Sequence, residues 1–289
     1  MSAERGGERF AVGKDGTAAG GDWSWRRAGT AEEVVLPLAI AGTIWFEREY
    51  GKPAKANWTA RNGFDESVRD VLRLKSESAR SATHIAGDTL MWLMIAAPVV
   101  DSFATLGVRD SRWDALWQTS MINVESFAFT SVVSSLTQNL IRREKPYVRN
   151  CRAGKCEDDQ FDENNRSMAS GHVAFAFTGA GLVCNHHQYQ YLYGDKAADD
   201  AVCAASIGVA ALDGVLRVMA DRHYATDVIV GTAIGWFSGF VLPRLLHYSR
   251  PAEPSGQKAE GNDRSVLKET SIRPMVISGG AGLNCDFRF

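Results

Sequence analysis

The chain has 289 residues, with 32 Lys and Arg against 34 Asp and Glu, a formal net charge of -2 at pH 7. A balance so near zero leaves no basic footprint for nucleic acid, which excludes that class of partner. The length suffices for one large helical domain or two small ones. Residues 1–32 are Gly-rich and polar and lack the continuous apolar stretch of a secretory signal, so they read as a disordered tail.

The first apolar run, Val34 to Phe46, is short for a membrane span, which needs roughly 20 apolar residues. Next, "FDESVRDVLRLKSESARSA" puts Phe64, Val68, Val71 and Leu72 on one helical face and Asp65, Glu66, Arg69, Asp70, Arg73 and Lys75 on the other. Such a helix lies either on a membrane surface or on the outside of a globular bundle. These two elements make up residues 33–84. Five more apolar segments follow, at 89–107, 117–140, 171–184, 202–219 and 227–247. They are rich in small residues, and Gly231, Gly235 and Gly239 recur every four positions, a spacing that lets helices approach closely in lipid. All but 171–184 come near the length of a span. The expected fold is all-α: a transmembrane bundle of six helices, with its core at 85–248 and a C-terminal tail at 249–289. A mean hydropathy of -0.18 keeps a soluble or half-embedded bundle open. Asp101, Glu125 and Asp213 are costly inside such segments and have to face the bundle interior. The stretch "MVISGGAGLNCDFRF" carries a weak strand pattern.

Of five cysteines, Cys151 and Cys156 lie in a polar loop and are close enough to form a small ring. Cys184 and Cys203 read either as a disulfide, which needs an oxidising compartment, or as small buried side chains. His186 and His187, just beyond the fourth segment, read as polar loop residues rather than ligands.

Three polar clusters mark the ends of the apolar segments. "QNLIRREKPY" offers Gln138, Arg142, Arg143 and Lys145 before Pro146, where a helix has to stop. "SMASGHVAFAF" opens a helix with Ser170, Gly171 and His172, with Ser167 upstream. "LRVMADRHYATDVIVG" carries Arg217, His223 and Asp227. If neighbouring helices alternate in direction, all three clusters meet at one end of the bundle. Cations, two histidines, a serine and a carboxylate then assemble, the composition of a site that handles phosphate. A phosphoryl group in transfer carries negative charge on its equatorial oxygens and needs cationic and N–H donors around it. Lys145 and Arg217 supply charge; Ser170 and the Gly171 amide supply donors at a helix N-terminus, a natural anion site. Asp227, four residues after His223, is placed to bond one imidazole nitrogen and leave the other free to attack phosphorus. His172 then protonates the leaving alkoxide. A metal site at His223 and Asp227 lacks a third ligand at a persuasive spacing.

These residues resemble the three signature motifs of the type-2 phosphatidic acid phosphatase and vanadium haloperoxidase superfamily: Lys-x6-Arg-Pro, Pro-Ser-Gly-His and Ser-Arg-x5-His-x3-Asp. Arg217, His223 and Asp227 match the third motif, with Leu216 in the serine place. Ser170, Gly171 and His172 match the second, with Ala169 for proline. In the first, Gln138 stands at the lysine and Lys145 at the arginine, with Pro146 kept; Arg143 is placed near the mouth as a compensating cation. The resemblance covers about residues 85–247. It implies a metal-independent phosphatase that needs no cofactor and cleaves a lipid or polyprenyl phosphate through a phosphohistidine on His223. It also implies a multi-pass cell-membrane protein with the site on the extracytoplasmic side, although a Cys184–Cys203 disulfide would favour a bundle wholly in an oxidising compartment such as the periplasm. Two alternatives stay open: a haloperoxidase, in which the same residues hold vanadate, and a scaffold whose phosphate pocket has eroded, the reading kept alive by Gln138.

Overall fold

The computed structural model describes residues 23–50, 53–150, 164–249, 271–277 and 280–286. The chain divides into two units, residues 1–252 and 253–289. In the first, helices run α1 (Thr30–Tyr50), α2 (Gly63–Leu72), α3 (Glu77–Ser102), α4 (Trp113–Ile141), α5 (Gly171–Gln190), α6 (Lys196–Met219) and α7 (Ala225–Trp236). α3 continues as a π-helical turn over Phe103–Arg109, and α7 as two, Phe237–Val241 and Arg244–Tyr248. Among the described residues there are thus seven α-helices rather than six. Each of the six apolar segments forms one, and the amphipathic segment is the seventh.

Local chemistry sets the ends. Asn62 caps α2 by accepting the Asp65 amide at 2.8 Å, and Asp195 caps α6 by accepting the Ala198 amide at 2.8 Å. α4 stops where Arg142 turns left-handed, at φ 49°, ahead of Pro146. α5 runs six residues past the expected end at 184, because His186 and His187 are not loop residues. Both are buried: His186 sits between Asn123 (2.7 Å) and the Tyr248 hydroxyl (2.8 Å), and His187 between Asp199 (2.6 Å) and Asp101 (2.7 Å). Their polarity signals partners on other helices, not exposure.

α5 is the central helix, packed against α3, α4, α6 and α7. The glycines of α7 explain how closely. A Cβ on Gly231, Gly235 or Gly239 would lie 2.5, 2.3 and 2.1 Å from the carbonyl oxygens of Ser170, Ala174 and Thr178. No side chain fits there, so the four-residue glycine row of α7 lies directly on the backbone of α5. On α5 itself, a Cβ on Gly179 would stand 1.9 Å from the Met94 carbonyl of α3.

The carboxylates of the apolar segments, one buried and two half-buried, are paired with cations or histidines of the bundle, as their cost demands. Glu125 meets His247 at 2.7 Å, Asp213 meets Arg217 at 3.2 Å, and Asp101 meets His187. Trp92, Leu93 and Val100 of α3, Leu136 and Leu140 of α4, and Leu245 stand exposed. Three helical stretches, Glu77–Arg109, Lys196–Met219 and Ala225–Tyr248, are long and apolar enough to cross a membrane by length and composition. α4 is not among them, contrary to the length of its apolar segment. Its buried face carries Gln118, Asn123, Ser134, Ser135 and Asn139.

Cys184 of α5 and Cys203 of α6 are joined as a disulfide, in the half of α5 away from its N-terminus. Cys151 and Cys156 lie outside the described residues. The expected disordered tail ends earlier than residue 32: Trp23 is 3 % exposed and packs with Leu106 and Tyr248. In the second unit, β1 (Ser271–Ile277) pairs antiparallel with β2 (Gly280–Asp286), from Ser271↔Asp286 to Ile277↔Gly280.

Candidate active site

The end of α1, the middle of α3, the last turns of α4, the start of α5 and the turn before α7 surround one cavity of ≈ 270 Å³. Of the residues singled out in the sequence, His223, His172, Gly171, Lys145 and Gln138 line it. The rest of the lining includes Glu47, Arg166, Ser131, Ser134 and Ser135 on the polar side, and Met91 and Phe175 on the apolar side. The alternation of helices does bring the three clusters to one end.

His223 lies in the turn before α7, not on the same helical face as Asp227. Tyr224 is the N-cap of α7, and Asp227, three residues on, accepts its amide at 2.9 Å. The His223 Nδ1 lies 2.8 Å from the Ser167 carbonyl oxygen, whereas the nearest Asp227 oxygen is 3.9 Å away. Asp227 therefore does not orient the imidazole directly. Its carboxylate takes the Ser167 hydroxyl at 2.5 Å and Arg143 Nη1 at 2.6 Å. It acts on His223 through Ser167, which it anchors. A carbonyl can only accept, so Nδ1 carries the proton and Nε2 keeps its lone pair. Burial, then the charges of Lys145, His172 and Arg217, hold the His223 imidazole well below its ordinary range. The ring is neutral at pH 7, with the Nε2 lone pair uncommitted to a proton.

His172 Nε2 stands 3.1 Å from an Asp88 carboxylate oxygen, and the same oxygen takes Arg217 Nη2 at 2.7 Å. Arg217 does not line the cavity. It is 1 % exposed and is held by Asp88, by His84 at 2.9 Å and by Asp213 at 3.2 Å. Its positive charge is spent on carboxylates from α3 and α6, and it connects to the cavity lining only through Asp88 and His172.

Arg143 is also elsewhere than expected. Its guanidinium is 1 % exposed, bonds Asp65 and Asp227 at 2.6 Å each, donates to Thr226 at 2.7 Å, and stacks on Trp58 and Tyr224. It ties α2 to the start of α7 instead of facing the cavity. Two carboxylates, a hydroxyl and two aromatic faces hold it, and it does not line the cavity.

Ser170 is the N-cap of α5, yet its side chain makes no cap bond; the hydroxyl is buried with no protein partner, and its amide donates to the Asp227 carbonyl at 3.0 Å. Gly171 sits close to α4: a Cβ would lie 3.3 Å from Gln138 Nε2, a tight contact with the end of that side chain. Gln138 in turn donates to the Ala169 carbonyl at 2.9 Å, tying the end of α4 to the turn before α5.

Sequence reasoning missed Asp88, Arg166 and Glu47, and gave Ser167 no role. Nothing local marks Asp88 or Glu47, since each gains meaning only from a helix far along the chain. Arg166 and Ser167 had one available signal, their place just ahead of Ser170. Among the described residues, a group suited to a metal ion is Glu32, Glu125 and His247, with ligand atoms within 4.8 Å of one another. It lies away from the cavity, and Arg26 already pairs with Glu32 at 2.5 Å.

Residues 120–251 match the family model of the PAP2 superfamily. Among solved structures, the chain is similar to the crystal structure of a transmembrane PAP2-type phosphatidylglycerolphosphate phosphatase from Bacillus subtilis. Identity is 16 %, the match covers 75 % of this chain and 96 % of that one, and the TM-score is 0.44. No curated protein sequence matches this chain.

Proposed function

We propose that this chain, which belongs to the PAP2 superfamily through residues 120–251, is a membrane-embedded lipid phosphatase that works through a phosphohistidine. The observation that carries the reading is His223: buried, neutral, held at Nδ1 by Ser167, and lining the same cavity as His172, Gly171 and Lys145. In the first step the Nε2 lone pair attacks phosphorus, an N–P bond forms, and the P–O bond to the lipid alcohol breaks. His172, paired with Asp88, gives its proton to the departing alkoxide. In the second step His172 takes a proton from water; the water oxygen bonds to phosphorus, the N–P bond breaks, and inorganic phosphate leaves. Lys145 and the Gly171 amide hold the phosphoryl oxygens, whereas Ser170, expected to join them, is fully buried and does not line the cavity. The chain's own imidazoles and cations supply every role, so the proposal assigns no metal and no cofactor.

A cavity of ≈ 270 Å³ accepts a phosphorylated head, not a whole lipid, so the alkyl chain has to leave it. The exposed apolar faces of α3 and α4, and three helices of spanning length, suit a bilayer around that exit. A lipid or polyprenyl monophosphate or diphosphate fits this arrangement. The test is release of inorganic phosphate, in detergent and EDTA, from phosphatidic acid and from a polyprenyl diphosphate, comparing parent with His223→Ala. Turnover that survives EDTA and is lost in the variant supports the reading. A folded parent with no turnover on either substrate sinks it.

A further inference from the structure

Once Arg217 and Arg143 are seen to be engaged elsewhere, the cavity is short of positive charge. Gln138, at the position where the resemblance expects a lysine, is neutral, and its amide nitrogen is committed to the Ala169 carbonyl. Among the described residues lining the cavity, the permanent cations are Lys145 and Arg166. A phosphoryl group in transfer needs more than one such charge around it. Arg166 lies four residues before Ser170, in the turn whose next residue, Ser167, holds both His223 and Asp227. Its guanidinium is thus positioned by the same turn that fixes the nucleophile.

We propose that Arg166 is the second phosphate-binding cation of this site, taking over the charge that Gln138 does not supply, and that Glu47 is its counter-ion when no phosphate is bound. The inference rests on the phosphatase reading above. Arg166 Nη2 pairs with Glu47 Oε1 at 2.7 Å, and its Nε, although buried, has no protein partner. Glu47 is therefore not a full complement for the fork of the guanidinium. It comes from the last turn of α1, outside the matched family segment, and also takes the Ser135 hydroxyl. A phosphate entering beside Lys145 and His223 competes with this carboxylate for Arg166. A guanidinium donates to phosphate through two parallel bonds, geometry that an ammonium cannot reproduce. When phosphate takes those donors, the Ser135 hydroxyl keeps Glu47 hydrogen-bonded at the cavity wall. The pair holds an arginine ready in the empty site without leaving an uncompensated charge at the edge of a bilayer.

The experiment measures inhibition by inorganic phosphate, KM and kcat for the better substrate, and orthovanadate binding by calorimetry, for the parent, Arg166→Gln, Arg166→Lys and Glu47→Gln, with thermal unfolding alongside. Arg166→Gln is expected to weaken phosphate inhibition and vanadate binding by about ten-fold to a hundred-fold, the worth of a charge-assisted bond pair. Arg166→Lys is expected to recover part of that loss. Glu47→Gln frees the guanidinium, so phosphate is expected to bind as tightly as in the parent or more tightly. If the parent turns over and Arg166→Gln binds phosphate within two-fold of it, this inference falls while the phosphatase reading stands. Glu47→Gln weakening phosphate as much as Arg166→Gln also overturns it, because the pair is then a structural strut. Should Arg166→Gln not fold, the Glu47→Gln and Arg166→Lys arms decide. A folded parent that binds neither phosphate nor vanadate removes both readings.

Discussion

Arg143→Met separates a structural arginine from a substrate-binding one. In the folded chain this guanidinium neutralises Asp65 and Asp227, and the side chains of all three are at most 2 % exposed. Removing one partner of a buried ion pair costs about 3 to 5 kcal/mol, because the remaining charge is left uncompensated. Asp65 keeps the Thr226 amide and hydroxyl, and Asp227 keeps Ser167 and the Tyr224 amide, which favours the lower end. At about 2 to 4 °C per kcal/mol for a unit of this size, the unfolding midpoint should fall by roughly 6 to 20 °C. The assay is thermal unfolding in detergent at pH 7 by circular dichroism, with Asp65→Asn/Arg143→Met as a second variant that regains part of the loss.

Acid adds a second signature. Burial alone would raise the Asp65 carboxyl, but the bonds from Arg143, Thr226 and Asn62 outweigh it and hold the group below its ordinary range. The folded value lies below the unfolded one, so this stabilisation is whole above about pH 4 and is lost as pH falls through the folded value. The gap between Arg143→Met and parent should therefore narrow below about pH 4. A variant that unfolds within about 1 kcal/mol of the parent, the noise of such comparisons, but has a raised KM would refute the assignment. Arg143 would then be the phosphate-facing cation that its place in the sequence suggests.

Other consequences follow from the same geometry. His223, held neutral by burial and nearby cations, should keep its neutral Nδ1–H tautomer through the ordinary histidine range in an NMR titration; protonation near the ordinary value of about 6.5 contradicts the site. Because its folded value is depressed, the contribution of the neutral ring to stability is complete above about pH 6.5, the unfolded value, and is lost as pH falls from there towards the lower folded value. Gly235→Ala would put a methyl 2.3 Å from the Ala174 carbonyl. α5 and α7 have to separate, so stability should drop by about 1 to 3 kcal/mol, and kcat with it, since α5 carries His172. An unchanged melting curve would mean the two helices do not cross there. The Cys184–Cys203 bond closes a separation of 19 residues, worth about 3 kcal/mol. A non-reduced digest should yield the two cysteine peptides linked, and free thiols at both positions would contradict the pairing.

The sequence legibly carried the helices and most of the residues that line the cavity. Apolar segments of near-spanning length, glycines every four residues and polar clusters at the segment ends are local patterns. A local pattern suffices for them because helix formation and the spacing of side chains along a helix depend on near neighbours. His223, His172, Gly171, Lys145 and Gln138 were visible in the same way, at fixed offsets within short motifs, and the chain does bring them to one cavity.

What the sequence could not decide was where each charge is spent. Arg143, Arg217 and Arg166 look alike in one dimension, yet the first ties α2 to α7, the second is bound by Asp88 and Asp213, and the third lines the cavity. Asp227 looked like the partner of His223 from its offset of four, but a turn rather than a helix separates them, and Ser167 took the place. His186 and His187 looked exposed because they are polar, and are buried because carboxylates, an amide and a phenol from distant helices meet them. A buried charge is placed by whichever opposite charge the packing brings within about 3 Å, and that partner can lie anywhere along the chain. Motif spacing records the chemistry a site needs; only the packed helices determine which cations face the cavity where that chemistry would occur.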